Sequence, residues 1–164
     1  MTMHSTGNGA SAVGQLDRLV IIEEIKQLKA AYFRTMDLKL WDELETLFTP
    51  AAVFDARGAL ELPKPDADYT EPVIQGARAI RDYIQTGLSP LTSVHFGHMP
   101  EIHVITATTA SAIWPMEDLL VPPPGGPFKS FRGWGHYRET YECTGGRWRI
   151  ASLRLRRLHV ETIA

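Results

Sequence analysis

The chain holds a single cysteine, Cys143. That excludes an intrachain disulfide and a cysteine metal cluster, and it fits a reducing cytoplasm. No apolar run approaches the ~20 residues that a membrane helix needs, so a soluble protein is expected. Neither sign of charge is in excess: 17 Lys and Arg stand against 19 Asp and Glu, a net charge of −2, with a pI near 6.3. Such a balance gives no footprint for nucleic acid, and the one basic run, Arg154-Leu-Arg-Arg157, is short and interleaved with leucine. A glycine-rich nucleotide loop and an internal repeat are both missing. Residues 1–16 have neither the basic start nor the apolar stretch of a secretory signal. They are rich in Gly, Ser and Thr and read as a disordered arm before a single domain over 17–164, long enough to bury a proper core.

Within that domain, helical patterns come first and strand patterns afterwards. Asp17 suits the cap of a first helix with Ile21, Ile25, Leu28, Tyr32 and Met36 on one face, at steps of three and four. A second, shorter helix places Leu40, Trp41, Leu44, Leu47 and Phe48 inside and stops before Pro50. Residues 51–56 read as a strand, and residues 60–72, rich in Pro and Asp, as a loop or lid. A third helix over 76–86 buries Ala77, Ile80, Tyr83 and Ile84 and closes at Gly87. Strands are predicted at 92–98, 101–106 and 110–121. A long hairpin follows, 129–143 with 147–160, turning at Thr144-Gly145-Gly146. This order predicts an α+β domain, a curved antiparallel sheet wrapped around three helices as a cone. The concave side becomes a pocket, because helices cannot fill a cone.

Five residues could carry proton chemistry in that pocket, and each also has a plainer explanation. Asp37 stands just before the second helix, where a carboxylate can cap free N–H groups or serve a neighbouring histidine. His95 lies in a strand, with Val94 and Phe96 on the other face; it is either a surface residue or a proton carrier active near neutrality. Gly97 would allow close backbone approach there, and His98 points outward. An H-x-x-H spacing without a third ligand is a poor metal site, so no metal is expected. Asp118 shares a strand face with Trp114, Met116 and Leu120, and so needs a partner: an ion pair with a C-terminal arginine, or a role orienting His95 or Arg157. Arg157 shares parity with Leu153 and Leu155, whereas Trp148 and Ile150 have the opposite parity. A β-bulge must therefore intervene, and if it is elsewhere Arg156 points inward instead. Tyr32 is either plain core or a hydroxyl donor inside the pocket.

Several stretches together resemble one superfamily. They are Met36-Asp37-Leu-Lys-Leu-Trp41-Asp42, Val94-His95-Phe-Gly-His98-Met-Pro100-Glu101-Ile102, Trp114-Pro-Met-Glu-Asp118, Gly133-Trp-Gly-His-Tyr137 and Gly146-Arg-Trp148-Arg-Ile150. The chain resembles the SnoaL-like domains of the nuclear transport factor 2-like superfamily, nearest the branch of scytalone dehydratase and bacterial bile-acid 7α-dehydratase. The bile-acid dehydratases of that branch look similar in carrying a Tyr, an Asp, a His, a second Asp and an Arg in this order, matched here by Tyr32, Asp37, His95, Asp118 and Arg157. The chain departs from scytalone dehydratase at Met36, Ala56 and Trp114, where that enzyme holds a water with tyrosines and a second histidine.

The resemblance implies a lyase that needs no cofactor and dehydrates a hydroxylated cyclic ketone, steroid-like or polyketide-like. His95, oriented by Asp37, would move protons. Tyr32 would donate to the carbonyl or leaving oxygen, and Arg157 would stabilise negative charge or anchor an acidic substrate, in a pocket walled by Trp, Phe, Leu and Met. The same superfamily also implies alternatives: a ketosteroid-isomerase type, a polyketide-cyclase type, a non-catalytic β-subunit of a ring-hydroxylating oxygenase, or a small-molecule binding module. It implies a homo-oligomer as well, a trimer or a dimer, with His103 and Arg138 facing a partner.

Overall fold

The computed structural model describes residues 13–57, 59 and 73–164. The greater part of the expected arm and the Pro- and Asp-rich loop 60–72 lie outside the described residues. Three helices, α1 (Gln15–Asp37), α2 (Trp41–Thr46) and α3 (Ala77–Leu88), pack against one sheet. Its strands are β1 (Phe48–Asp55), β2 (Ile74–Gln75), β3 (Thr92–Gly97), β4 (Glu101–Val104), β5 (Thr109–Val121), β6 (Ser130–Thr144) and β7 (Arg147–Ile163). The order across the sheet is β2-β1-β7-β6-β5-β3, with β4 also pairing β5. An α+β domain is what the order of patterns implies, and that is its class.

The sheet is mixed rather than wholly antiparallel, because β1 runs parallel to β7. Sequence patterning links strands through their turns, and β1 and β7 share no turn. Only the tertiary fold brings them side by side.

Alternation builds the inner face. Along β5 every second residue is buried, from Ala110 through Trp114, Met116 and Asp118 to Leu120. β6 contributes Tyr137, Glu139 and Tyr141, and β7 contributes Trp148, Ile150, Leu153, Leu155 and Arg157. The bulge that parity demands in β7 lies at Ala151, since Ile150 pairs Tyr141 while Ser152 pairs Thr140. It turns Leu153, Leu155 and Arg157 inward and leaves Arg154 and Arg156 exposed. At the β6–β7 turn, Gly145 and Gly146 both have positive φ, 62° and 74°, as a tight two-residue hairpin loop of matching twist requires.

The stripe on α1 is buried as its spacing predicts, with Phe33 added to it. Asp17 is not the cap. The helix starts at Gln15 after Gly14, with no side-chain cap bond, and Asp17 sits in its first turn, where a carboxylate still suits the helix dipole. α2 is shorter than its pattern, and Phe48 opens β1 instead. α3 runs through Gly87 to Leu88, and Tyr83 is 45% exposed rather than buried. His103 and Arg138 are exposed. Among the described residues, no helix is long and apolar enough to cross a membrane.

Candidate active site

Asp37 is the last residue of α1, and its carboxylate leaves the helix to meet β3. Oδ1 accepts hydrogen bonds from the Ser93 hydroxyl at 3.0 Å and pairs with His95 Nδ1 at 2.6 Å. Oδ2 accepts the backbone N–H of His95 at 2.9 Å. The cap role weighed for Asp37 is thereby overturned: α2 begins after Leu40, with no side-chain cap bond. With Asp37 on Nδ1, a neutral imidazole keeps its proton there and leaves Nε2 as the acceptor.

His95 is inward and almost fully covered, its side chain 4% exposed. Phe33 stacks on it, with ring planes 9° apart. Gly97 makes room for that stack, because a Cβ there would lie 2.6 Å from Phe33 Cε2. The glycine thus admits a side chain, not backbone.

Directly across the sheet register from His95 is Asp118, whose Oδ2 is 4.0 Å from Nε2. Arg157 holds Asp118 with two bonds of 2.7 Å each and donates through Nε to the Ala59 carbonyl at 2.6 Å. Both partners are about 3% exposed. A forked guanidinium–carboxylate pair of this kind is the geometry that tolerates burial. The ion pair and the placement beside His95 therefore coexist. Gly133 makes this possible: it faces Asp118 across the ladder, and a Cβ there would overlap the Arg157 guanidinium.

These groups open on a cavity of about 870 Å³. Tyr32, His95, Asp118 and Arg157 line it, while Asp37 stands behind His95. Met36, Phe54, Leu88, Phe128 and Leu155 are among its apolar walls. No tryptophan is among the described lining residues; Trp114, expected there, turns away and donates to the Tyr141 hydroxyl at 2.8 Å.

Tyr137 also lines the cavity, edge-on to Tyr32 with ring centroids 6.0 Å apart. Burial pushes both phenols well above their ordinary range; the Tyr137 hydroxyl and the Glu139 and Asp118 carboxylates push Tyr32 up further. Both remain O–H donors at neutral pH. Beneath them lies a buried chain that patterning missed: Lys29 pairs with Glu139, and Glu139 also accepts from Tyr141. Burial pulls the Lys29 ammonium down to about 8 against its pairing with Glu139, and it sits 3.7 Å over the Tyr137 ring. Strand parity held the clue, since Glu139 lies between the inward residues Tyr137 and Tyr141. Among the described residues, no three His, Cys, Asp or Glu side chains are grouped to hold a metal ion.

Residues 17–154 match the SnoaL-like domain family. A probable cyclase, FGR4, of Gibberella zeae is 25% identical over 138 residues, covering 82% of this chain and 89% of its own length. Among solved structures, hexachlorocyclohexane dehydrochlorinase LinA type 3 of Novosphingobium barchaimii superposes with a TM-score of 0.75 at 18% identity, covering 92% of this chain and 95% of its own. A Novosphingobium aromaticivorans protein provisionally assigned as a scytalone dehydratase gives 0.74 at 16% identity, over 92% and 93%.

Proposed function

The chain belongs to the SnoaL-like domain family, and we propose that it is an acid–base lyase, a dehydratase acting without a cofactor on a hydroxylated cyclic ketone, steroid-like or polyketide-like. One observation carries this reading. A histidine bound at Nδ1 by a carboxylate at 2.6 Å turns its other nitrogen towards an apolar cavity with phenol donors in its wall.

The steps follow from that arrangement. Nε2 of His95 takes the proton α to the substrate carbonyl, and the C–H pair becomes an enolate. The Tyr32 hydroxyl donates to the enolate oxygen as charge develops there. The enolate then expels the β-hydroxyl, to which the His95 imidazolium returns the proton, and water leaves with a conjugated enone as product. Asp37 steadies the imidazolium and holds the ring. Arg157 has its charge matched by Asp118, so its part is to fix that carboxylate beside Nε2 rather than to anchor an acidic substrate. The apolar walls suit a neutral ring system.

A second reading, an aldol cyclisation by the same dyad, is favoured by the relative named a probable cyclase. Mass spectrometry separates the two, since dehydration loses one water and aldol closure gives an isomer. The convergence of polar groups on the cavity weighs against a purely structural subunit, which has no use for them. The test is to screen β-hydroxy cyclic ketones for the ultraviolet absorbance of the enone. Turnover by the wild type, with His95→Ala slower by ~10² or more, is the expected result. Full activity in His95→Ala would discard the mechanism.

A further inference from the structure

α1 ends in a hydrogen-bonding pattern whose usual occupant is missing. The N–H of Leu40 reaches the Thr35 carbonyl at 2.8 Å, and that of Lys39 reaches Met36 at 3.3 Å. This is the Schellman termination, whose left-handed position is normally glycine. Here it is Lys39, with φ 60°, and among the described residues no other non-glycine has positive φ. A side chain in that region costs backbone energy. Glycine would end the helix better, so the reason for lysine has to lie in what its side chain does.

The left-handed turn sends the side chain of Lys39 back towards β3. Its Nζ donates to the Ser93 hydroxyl at 2.7 Å. Ser93 is 5% exposed and donates to Asp37 Oδ1 at 3.0 Å, the oxygen that also pairs with His95. We propose that Lys39 is a positioning residue for the Asp37–His95 pair: through Ser93 it holds the Asp37 carboxylate in place, and its charge sets how strongly that carboxylate attracts the imidazolium. Partial burial pulls the Lys39 ammonium down while Asp37 pulls it back up, as expected of a cation kept close to that carboxylate.

The other groups facing His95 are accounted for. Asp118 approaches Nε2 from β5, already paired with Arg157 of β7. Phe33 covers one ring face, and the neutral phenols of Tyr32 and Tyr137 stand in the cavity wall. Lys39 is the cation on the Asp37 side. Without it, the Asp37 carboxylate faces the imidazolium with its charge unopposed.

The assignment rests on Asp37–His95 as the working pair, but its test needs no substrate. The imidazole resonances of His95 are followed against pH by NMR in the full chain, alongside the melting temperature. Lys39→Gly supplies the residue the turn prefers and removes the cation. Its melting temperature should equal or exceed that of the wild type, while the His95 titration midpoint moves up by about half a unit or more. Ser93→Ala should move it in the same direction, and Lys39→Arg should restore most of the wild-type value. An unmoved midpoint in Lys39→Gly overturns the proposal, whatever the melting temperature does. If the midpoint moves but no hydroxyketone is turned over, the positioning role stands and the dehydratase reading fails. If His95→Ala abolishes turnover but the midpoint ignores Lys39, only the positioning role fails.

Discussion

The Arg157 guanidinium and the Asp118 carboxylate meet in a fork of two 2.7 Å bonds in the space left by the missing side chain of Gly133. Asp118 and Gly133 face each other across the β5–β6 ladder, so the glycine is part of how the ion pair is built.

Gly133→Ala should therefore cost about 1–3 kcal/mol as the pair is displaced. Gly87→Ala, where an added Cβ meets nothing within 4 Å, should instead gain up to about 1 kcal/mol from helix propensity. Urea denaturation of both variants checks the contrast, and equal behaviour would contradict it.

Tyr32→Phe removes one donor and leaves the ring packing intact. On an enone-forming substrate, kcat should fall by ~10² with little change in KM, because the bond strengthens only as charge develops. A loss confined to KM would reassign Tyr32 to substrate binding.

Asp37→Asn should lower kcat steeply while the fold persists, since an amide can present the wrong tautomer of His95 to the substrate. Steady-state kinetics and circular dichroism decide it together. Activity within a few-fold of wild type would mean that the 2.6 Å contact is structural only.

The buried Lys29–Glu139 pair is expected to obey the asymmetry of buried charges. Lys29→Met alone should destabilise by about 3–5 kcal/mol, because it leaves Glu139 without its cation, whereas Lys29→Met with Glu139→Leu should recover a large part of that loss. Denaturation midpoints of the single and double variants give the answer.

The same lysine makes stability depend on pH. In the folded state its proton leaves near pH 8, while an unfolded lysine keeps it to about 10.4. Between these values the unfolded chain binds more protons, so this contribution rises from pH 8 to 10 and is lost as pH falls back through 8. Tyr32, Tyr137 and Tyr141 work the opposite way: burial raises each, the unfolded phenols release protons first, and stability falls above pH 10. Urea midpoints at pH 7.5, 9.5 and 11 should show a rise and then a fall. The rise should be absent in the Lys29→Met, Glu139→Leu variant.

Much of the site could be read from spacing because its residues sit on regular elements. Parity placed Asp118 on an inward face and left His95 open, since Val94 and Phe96 lie on the opposite side of its strand. The clash of parities within β7 called for the bulge that turns Arg157 inward. The errors fall where regular elements end. Asp37 looked like a helix cap because it precedes a helix. Its carboxylate went elsewhere because the C-terminal turn of α1 aims it at β3, which follows much later in the chain.

Periodicities of 3.6 and 2 act within single elements, so the sequence alone carries the class of fold and the inward faces of its long elements. The five candidate residues are those that the family resemblance marks, and four of them, Tyr32, His95, Asp118 and Arg157, line one cavity with Asp37 behind His95. Only the tertiary structure decided which of those residues touch. The parallel β1–β7 contact, the Asp37–His95 bond, the Asp118–Arg157 fork and the Lys29–Glu139 pair all join residues distant in sequence. Their partners depend on sheet curvature and register, which no local pattern contains.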